Sequence, residues 1–421
     1  MDFLTFNNIQ EYKMNREITM PRREKLLASL SENEAVVIFA ASVGKLEKFK
    51  QENNFLYLTG LNIPDAIYFG MKGAKGNVEH LFIQRGIPER EVWEGKMMDL
   101  GTAAETSGIR GMKYLDEFEG VLSGYCPAIQ TIHANIGNLE LSRPLSYPMF
   151  RLLPVRERFP HIHIKDISEL ITPLRKIKSD WEIQQLQRAI DVTGKGIMDI
   201  WETARVGMYE YELEAMLFYR IQKSGLKHWG FTPIIASGGN AATLHYDKNE
   251  CQIEAGQLVL MDVGADYMNY SADITRCFPI SGTFSERQKQ VYSAVLKTNK
   301  EITSMIAPGV KLMDLHLRSR EIIGEELVAM GLLDNAFEVS KYYMHGLGHF
   351  LGMDTHDLGG RDAVLEPGNV ITVEPGIYIP EEKLGVRIED DVLVTEEGYC
   401  VLSQNIPKEI SEIEEILSAR S

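Results

Sequence analysis

A chain of 421 residues, 44% hydrophobic and 25% charged, has the composition of a soluble globular protein and is long enough for two domains with separate cores. Its net charge of -16 leaves no basic face for phosphate, so nucleic acid is not an expected partner. No window approaches the roughly 18 consecutive apolar residues that span a bilayer, and no membrane association is expected.

Met1 to Met20 is polar and mixed in charge, without the apolar stretch and cleavage site of a leader. The four cysteines (Cys126, Cys251, Cys277, Cys400) show no CxxC or other ligand spacing, which suits a reduced compartment. Both point to a cytoplasmic protein.

A basic helical lead-in, Arg22 to Leu30, precedes a short buried strand at Ala35 to Ala40. Strand-like runs follow at His80 to Gln84, Thr131 to Ala134 and His161 to Ile164, separated by amphipathic or mixed segments, the alternation of an α/β layer. Between them Phe55 to Leu58 is apolar and ends at Thr59, Gly60 and Pro64, which predicts a packed strand and a turn. Trp93 reads as a core or interface aromatic.

A boundary falls between Leu170 and Ser179, giving domains 1-172 and 173-421. Ser179 with Glu182 three residues on is a capping box. The helix it opens keeps Ile183, Leu186, Ile190, Ile197 and Trp201 on one face. The order capped helix, Gly-bearing turn, helix, strands then recurs from Ser285, and ARVGMYEYEL and APGVKLMDL are alike around their turns. This suggests an internal duplication that sets two similar halves around a central cleft. Met305 to Met330 reads as core.

Chemistry concentrates in two places. Leu258 to Val263 is apolar on both faces, yet holds Asp262, and Asp273 opens the returning strand. A hairpin symmetric about its turn would set the two directly opposite, with Cβ atoms about 4.5–5.5 Å apart. Glu374 in NVITVEPGIYI and Glu389 in GVRIEDDVLV show the same odd spacing. Carboxylates so placed repel unless a cation lies between them. Three of the ten histidines, His345, His349 and His356, fall in one short stretch, where Gly346 and Gly348 disfavour helix. An extended chain puts His345 and His349 on one face. Asp262, Asp273, Glu374 and Glu389 carry four negative charges, which two divalent cations would neutralise. With one imidazole and no sulfur, the set suits Mn²⁺, Co²⁺, Zn²⁺ or Fe²⁺. Two such ions roughly 3.5–4 Å apart generate a hydroxide nucleophile near neutral pH, so the pattern points to metal-assisted hydrolysis.

The motifs LMDVGADYMNYSADITRCFP, HGLGHFLGMDTHDLGG, ITVEPGIYI and GVRIEDD closely resemble those of the bacterial Xaa-Pro aminopeptidases (aminopeptidase P), in the metallopeptidase group that also holds prolidase, methionine aminopeptidase and creatinase. FKQENNFLYLTGLNIPDA, REVWEGK and RKIKSDWEI extend the resemblance over most of the chain. It implies an α/β amino-terminal domain followed by an α+β pita-bread catalytic domain with a dinuclear centre, usually manganese. Asp273 and Glu389 would bridge the two ions, Asp262 would bind one, and His349 with Glu374 the other. Glu374 would also handle the proton of the bridging hydroxide. His356 and His245 would steady substrate and oxyanion. His345 would line the proline pocket, and Arg387 would act behind the ligands or on the substrate.

The implied substrates are peptides with proline at the second position. The implied assembly is a homo-oligomer, a dimer or tetramer, in which the WEG-like context of Trp93 reaches a neighbouring active site. Two segments, between His356 and Glu366 and between Tyr378 and Arg387, are shorter than the family's. The rivals are an Xaa-Pro dipeptidase (prolidase) and a non-catalytic peptide-binding scaffold of the same fold. Creatinase lacks these carboxylates, and methionine aminopeptidase has no comparable amino-terminal domain. His80, His133, His161, His163, His228 and His316 have no motif around them and are expected to be structural.

Overall fold

The computed structural model describes residues 14–44, 48–73, 76–137 and 140–420, so the first thirteen residues of the Met1 to Met20 stretch lie outside it. The chain divides into two compact units, Met1–Leu174 and Arg175–Ser421.

In the first unit, helix α1 (Arg16–Ser29) is followed by β1 (Glu34–Phe39), α2 (Asn53–Thr59), β2 (Ile67–Gly73), β3 (Gly76–Ile83), α3 (Pro88–Glu94), β4 (Met112–Tyr114), β5 (Thr131–Ala134) and β6 (His163–Asp166). The strands form one mixed sheet in the order β4-β3-β2-β1-β5-β6, with β1 parallel to β5 and antiparallel to β2. Val37, Phe39, Phe69, Phe82 and Ile132 meet Phe118 and Leu152 in its core. Each such side chain contributes about 1.5–3 kcal/mol by leaving water.

The apolar run Phe55 to Leu58 is helical, not a strand. The Glu52 carboxylate accepts the Phe55 N–H at 2.6 Å, and Gly60 closes the helix in the left-handed region at φ 70°. Its last carbonyls are taken from a distance: Arg22 donates to Tyr57 O (3.1 Å) and Arg23 to Leu58 O (2.7 Å). The basic lead-in therefore caps α2, and two of its arginines are buried.

In the second unit, Ser179 and Glu182 form the expected capping box of α4 (Asp180–Thr203), which buries Leu186, Ile190, Ile197 and Trp201. Helix α5 (Glu210–Lys223) and strands β7 (Ile234–Ser237), β8 (Leu258–Val263) and β9 (Ile274–Pro279) complete the first half. The second half repeats the order with α6 (Glu286–Ser304), α7 (Leu312–Ala329), β10 (Val370–Val373), β11 (Gly376–Ile379), β12 (Leu384–Arg387), β13 (Asp390–Thr395) and β14 (Gly398–Val401).

The duplication is visible bond by bond at the turn between the helices. Gly207 N–H bonds to Ile253 O and Ile253 N–H to Met208 O, while Gly309 N–H bonds to Leu365 O and Leu365 N–H to Val310 O. One residue into the next helix, Glu210 N–H reaches Cys251 O and Leu312 N–H reaches Ala363 O. The two halves thus make the same backbone contacts with different side chains. Helix α7, read as core, buries Leu315, Ile322 and Ile323 but also turns Met313 and Leu317 into a cleft.

Candidate metal centre

Two hairpins supply the carboxylates. In the second half Val373 faces Asp390 and Gly376 faces Arg387. That single register sets Glu374 opposite Glu389, at the break that Pro375 makes by lacking an N–H. The opposition expected from the spacing is present.

In the first half it is not. Asp262 faces Thr275 rather than Asp273, and the register continues through Tyr267 and Tyr270. The turn is the two-residue Met268-Asn269, both with positive φ (56° and 64°), the form that matches strand twist. Met-Asn is not the usual Asn-Gly signal for such a turn, so its centre was misplaced. Asp273 instead continues the face of Thr275, diagonal to Asp262.

The imidazole arrives on a third strand-like segment. Thr372 N–H bonds to His349 O, Glu374 N–H to Leu347 O and Leu351 N–H to Val370 O, so residues 347–351 run antiparallel along β10. Gly348 is required there, because a Cβ would sit 2.0 Å from Thr372 O. His349 Nδ1 lies 3.0 Å from Phe350 O and must donate its proton to that carbonyl. The Nε2 lone pair then faces Asp273 Oδ2 at 3.4 Å and Glu374 Oε1 at 3.6 Å.

Asp273, His349 and Glu389 each offer one ligand atom, all within 4.8 Å of one another. Burial, then repulsion from Asp262, pushes Asp273 well above the usual carboxylate range; burial, then repulsion from Asp273 and Glu374, does the same to Glu389. Glu374 is pushed up to about 8, chiefly by burial, against the pull of His349 and Arg387. Asp262 Oδ1 is buried and makes no hydrogen bond. Acidic oxygens converging on one another and on an imidazole lone pair are a poor set for a metal-free core. They fit a divalent cation, with Glu374 Oε1 3.6 Å from His349 Nε2 and the Asp262 carboxylate repelling Asp273 from close by.

Behind these residues lies a network centred on Arg387, which the sequence reading placed behind the ligands or on the substrate, and including Thr275, Tyr378, Asp391 and Thr372, which it missed. Arg387, 4% exposed, donates to Asp262 Oδ2 (2.5 Å), Thr275 Oγ1 (3.1 Å) and Tyr378 Oη (2.9 Å). Arg387 therefore pairs with the Asp262 carboxylate. Thr275 passes its own proton to Glu389 Oε2 at 2.6 Å. Tyr378 donates to His345 Nε2 (2.8 Å), while His345 Nδ1 donates to Gly346 O (2.7 Å). Burial and then Arg387 lower the His345 pKa to about 3, so it is a neutral imidazole. Asp391 accepts the Asp273 N–H and Thr372 Oγ1 the His349 N–H. Tyr378, in GIYI, looks like an ordinary strand aromatic, and nothing local marks it.

The cleft has a volume of about 770 Å³ and is lined by His245, His345, His349, His356, Glu374 and Arg387 with apolar Leu244, Met313 and Met344. All five residues expected around the substrate are thus brought together. The rings of His349 and His356 meet edge to face, with centroids 4.4 Å apart. His316, read as structural, also lines the cleft beside Arg320. In the first unit, Trp93 is 88% exposed on α3, a helix that buries none of its side chains. It is not a core aromatic of that unit.

The family model described as metallopeptidase family M24 matches residues 184–396, and that of the aminopeptidase P, N-terminal domain matches residues 20–133. The chain is 32% identical to the Xaa-Pro aminopeptidase of Haemophilus influenzae, over 96% of this chain and 98% of the relative. It is 34% identical to human Xaa-Pro aminopeptidase 3, over 89% and 78%. Zinc-substituted Escherichia coli aminopeptidase P in complex with product superposes with a TM-score of 0.88 at 30% identity, covering 97% of this chain and 99% of that one.

Proposed function

The chain belongs to metallopeptidase family M24 and is a metal-dependent aminopeptidase, and from that premise we propose that it releases the amino-terminal residue of peptides whose second residue is proline. The observation that carries this is the convergence of Asp273, His349 and Glu389 on one another, beside a cleft lined by His349 and Glu374, in a chain so similar to Xaa-Pro aminopeptidases.

Asp262, Asp273, His349, Glu374 and Glu389 would hold two divalent ions; manganese is the ion we assign. When bound, the ions polarise the scissile carbonyl and lower the pKa of a water near neutral pH. The chain's own residues do the rest. Arg387 and Thr275 fix Asp262 and Glu389 by hydrogen bonds, so the ligands are oriented before substrate arrives. Glu374, open to the cleft, carries a proton from the attacking water towards the leaving proline nitrogen. His356 and His245 donate hydrogen bonds to the carbonyl oxygen as charge develops on it. His345, oriented by the hydrogen bond from Tyr378, forms a wall of the proline pocket.

No helix among the described residues is long and apolar enough to cross a membrane. We assign the protein to the cytoplasm and to a homo-oligomer, in which the exposed Trp93 on α3 meets a second copy. Incubating the manganese-loaded protein with Xaa-Pro and Xaa-Pro-Xaa peptides tests the reading. Both the tripeptide's first bond and its sensitivity to chelator are expected to show; activity confined to dipeptides would refute it in favour of a dipeptidase.

A further inference from the structure

Glu210 is fully buried, yet no basic side chain is among its donors. Its Oε1 accepts the Ser237 N–H (2.7 Å), the Ser237 hydroxyl (2.7 Å) and the Asn240 amide (3.0 Å), and its Oε2 accepts the Tyr246 hydroxyl (2.7 Å) and the Cys251 N–H (2.9 Å). Five bonds on one carboxylate are enough to keep it in the core. All five come from a single stretch, Ser237 to Cys251, gripped at both ends and beside its middle.

The duplicated fold supplies a control. At the same backbone position of the second half, where Leu312 N–H meets Ala363 O, the side chain is an apolar Leu312, 4% exposed. The turn and the helix start therefore do not need a carboxylate. What differs is the cargo: the stretch held by Glu210 carries His245, next to Tyr246, into the cleft. Its far side is fixed as well, since Gly385, two residues before Arg387, lies so close that a Cβ would sit 2.0 Å from Ala241 O.

We propose that Glu210 is a positioning residue that clamps the Ser237–Cys251 segment and thereby sets His245 over the metal site. The proposal rests on the role given to His245 above, and the two can be separated. Glu210 touches neither substrate nor ligand. Its carboxylate fixes the two ends of the segment to α5, and β12 lies against Ala241, which narrows where His245 can stand.

The test uses the full, metal-loaded enzyme with the variants Glu210→Gln, Glu210→Ala, His245→Ala and the two double variants. Glu210→Gln keeps the shape and the Oε1 acceptor but turns an amide against the Cys251 N–H, so it folds even if the alanine variant does not. Two readouts are taken. Trypsin cleavage after the exposed Lys248, followed by mass spectrometry, is expected to quicken by about tenfold in Glu210→Gln, the scale of a lost hydrogen bond to a charged group. In kcat/KM the Glu210 variants are expected to lose activity with bound metal unchanged, and to lose no more than about a further twofold in the His245→Ala background, because residues acting through one another are not additive.

Fully additive losses, or Glu210 variants with wild-type kcat/KM and wild-type cleavage at Lys248, would overturn the clamp. A silent His245→Ala would instead remove the role of His245 and leave the Lys248 cleavage rate to decide whether Glu210 holds the segment.

Discussion

Replacing Tyr378 by phenylalanine removes one oxygen from a fully buried position and leaves two partners without a counterpart. Arg387 Nη1 loses its acceptor at 2.9 Å and His345 Nε2 its donor at 2.8 Å. Each stranded polar group costs about 1–3 kcal/mol, so the change destabilises the second unit by roughly 3–5 kcal/mol. At about 2–4 °C per kcal/mol for a unit of this size, the melting temperature falls by roughly 6–20 °C. Arg387 keeps Asp262 and Thr275, so the ligands stay in place and bound metal, read by atomic absorption, is unchanged. His345 is no longer pinned, and kcat/KM on an Xaa-Pro-Xaa peptide drops by about tenfold or more. A Tyr378→Phe enzyme with wild-type melting temperature and wild-type kcat/KM would refute the network; loss of metal would show that Tyr378 supports the ligands rather than His345.

Asp357 is buried between Arg175 Nη2 (2.6 Å) and Lys178 Nζ (3.0 Å), so Asp357→Asn takes the carboxylate from the buried Lys178 while Arg175 keeps Asp354 (2.6 Å), and costs about 3–5 kcal/mol, whereas Lys178→Met leaves the Arg175 pair and costs less. Burial raises the Asp357 pKa, but Lys178 and Arg175 outweigh it and hold it below the usual range. Its stabilisation is therefore whole above the unfolded value of about 3.9 and is lost as pH falls through the lower folded value; denaturant curves of wild type and Asp357→Asn converge below about pH 4 and stay apart at pH 7. Gly348→Ala drives a Cβ against Thr372 O and displaces His349, and isothermal titration is expected to show metal binding weakened by about 10–100-fold with the first unit's stability intact. Adding Mn²⁺ at 100 times its Kd to metal-stripped protein is expected to stabilise it by about 2.7 kcal/mol; no rise in melting temperature would contradict the ligand assignment.

How legible the site was depended on how local its determinants are. Glu374 and Glu389 could be paired from spacing because one register runs through both ladders on either side of them. Asp262 and Asp273 could not, because their register turns on Met268 and Asn269 taking positive φ, a choice that Tyr267, Tyr270 and the surrounding sheet impose. The apolar run in α2 is ambiguous by itself, and the arginines that make it a helix lie on α1. Tyr378 and Glu210 were unreadable for the same reason: their meaning lies in partners from other strands and loops, and nothing in GIYI or YEYELEA announces them.

The duplication explains why an arginine stands at position 387, at the edge of the cleft and bonded to Asp262. Continuing each register one step beyond the ligand strand sets Asp273 opposite Gly264 in the first half, just as Gly376 faces Arg387 in the second. Both glycines are sterically required, since a Cβ would meet Ala272 O at 1.8 Å or Tyr378 Oη at 2.5 Å. The two hairpins thus offer one equivalent slot each, opposite a residue without a side chain. One slot holds a carboxylate that joins the cluster. The other holds a guanidinium that reaches Asp262 in the opposite half. Had both slots been acidic, a further buried negative charge would have joined the cluster with no cation of the chain beneath it. The break in symmetry supplies that cation, and it ties the first hairpin's ligand to the second hairpin's backbone.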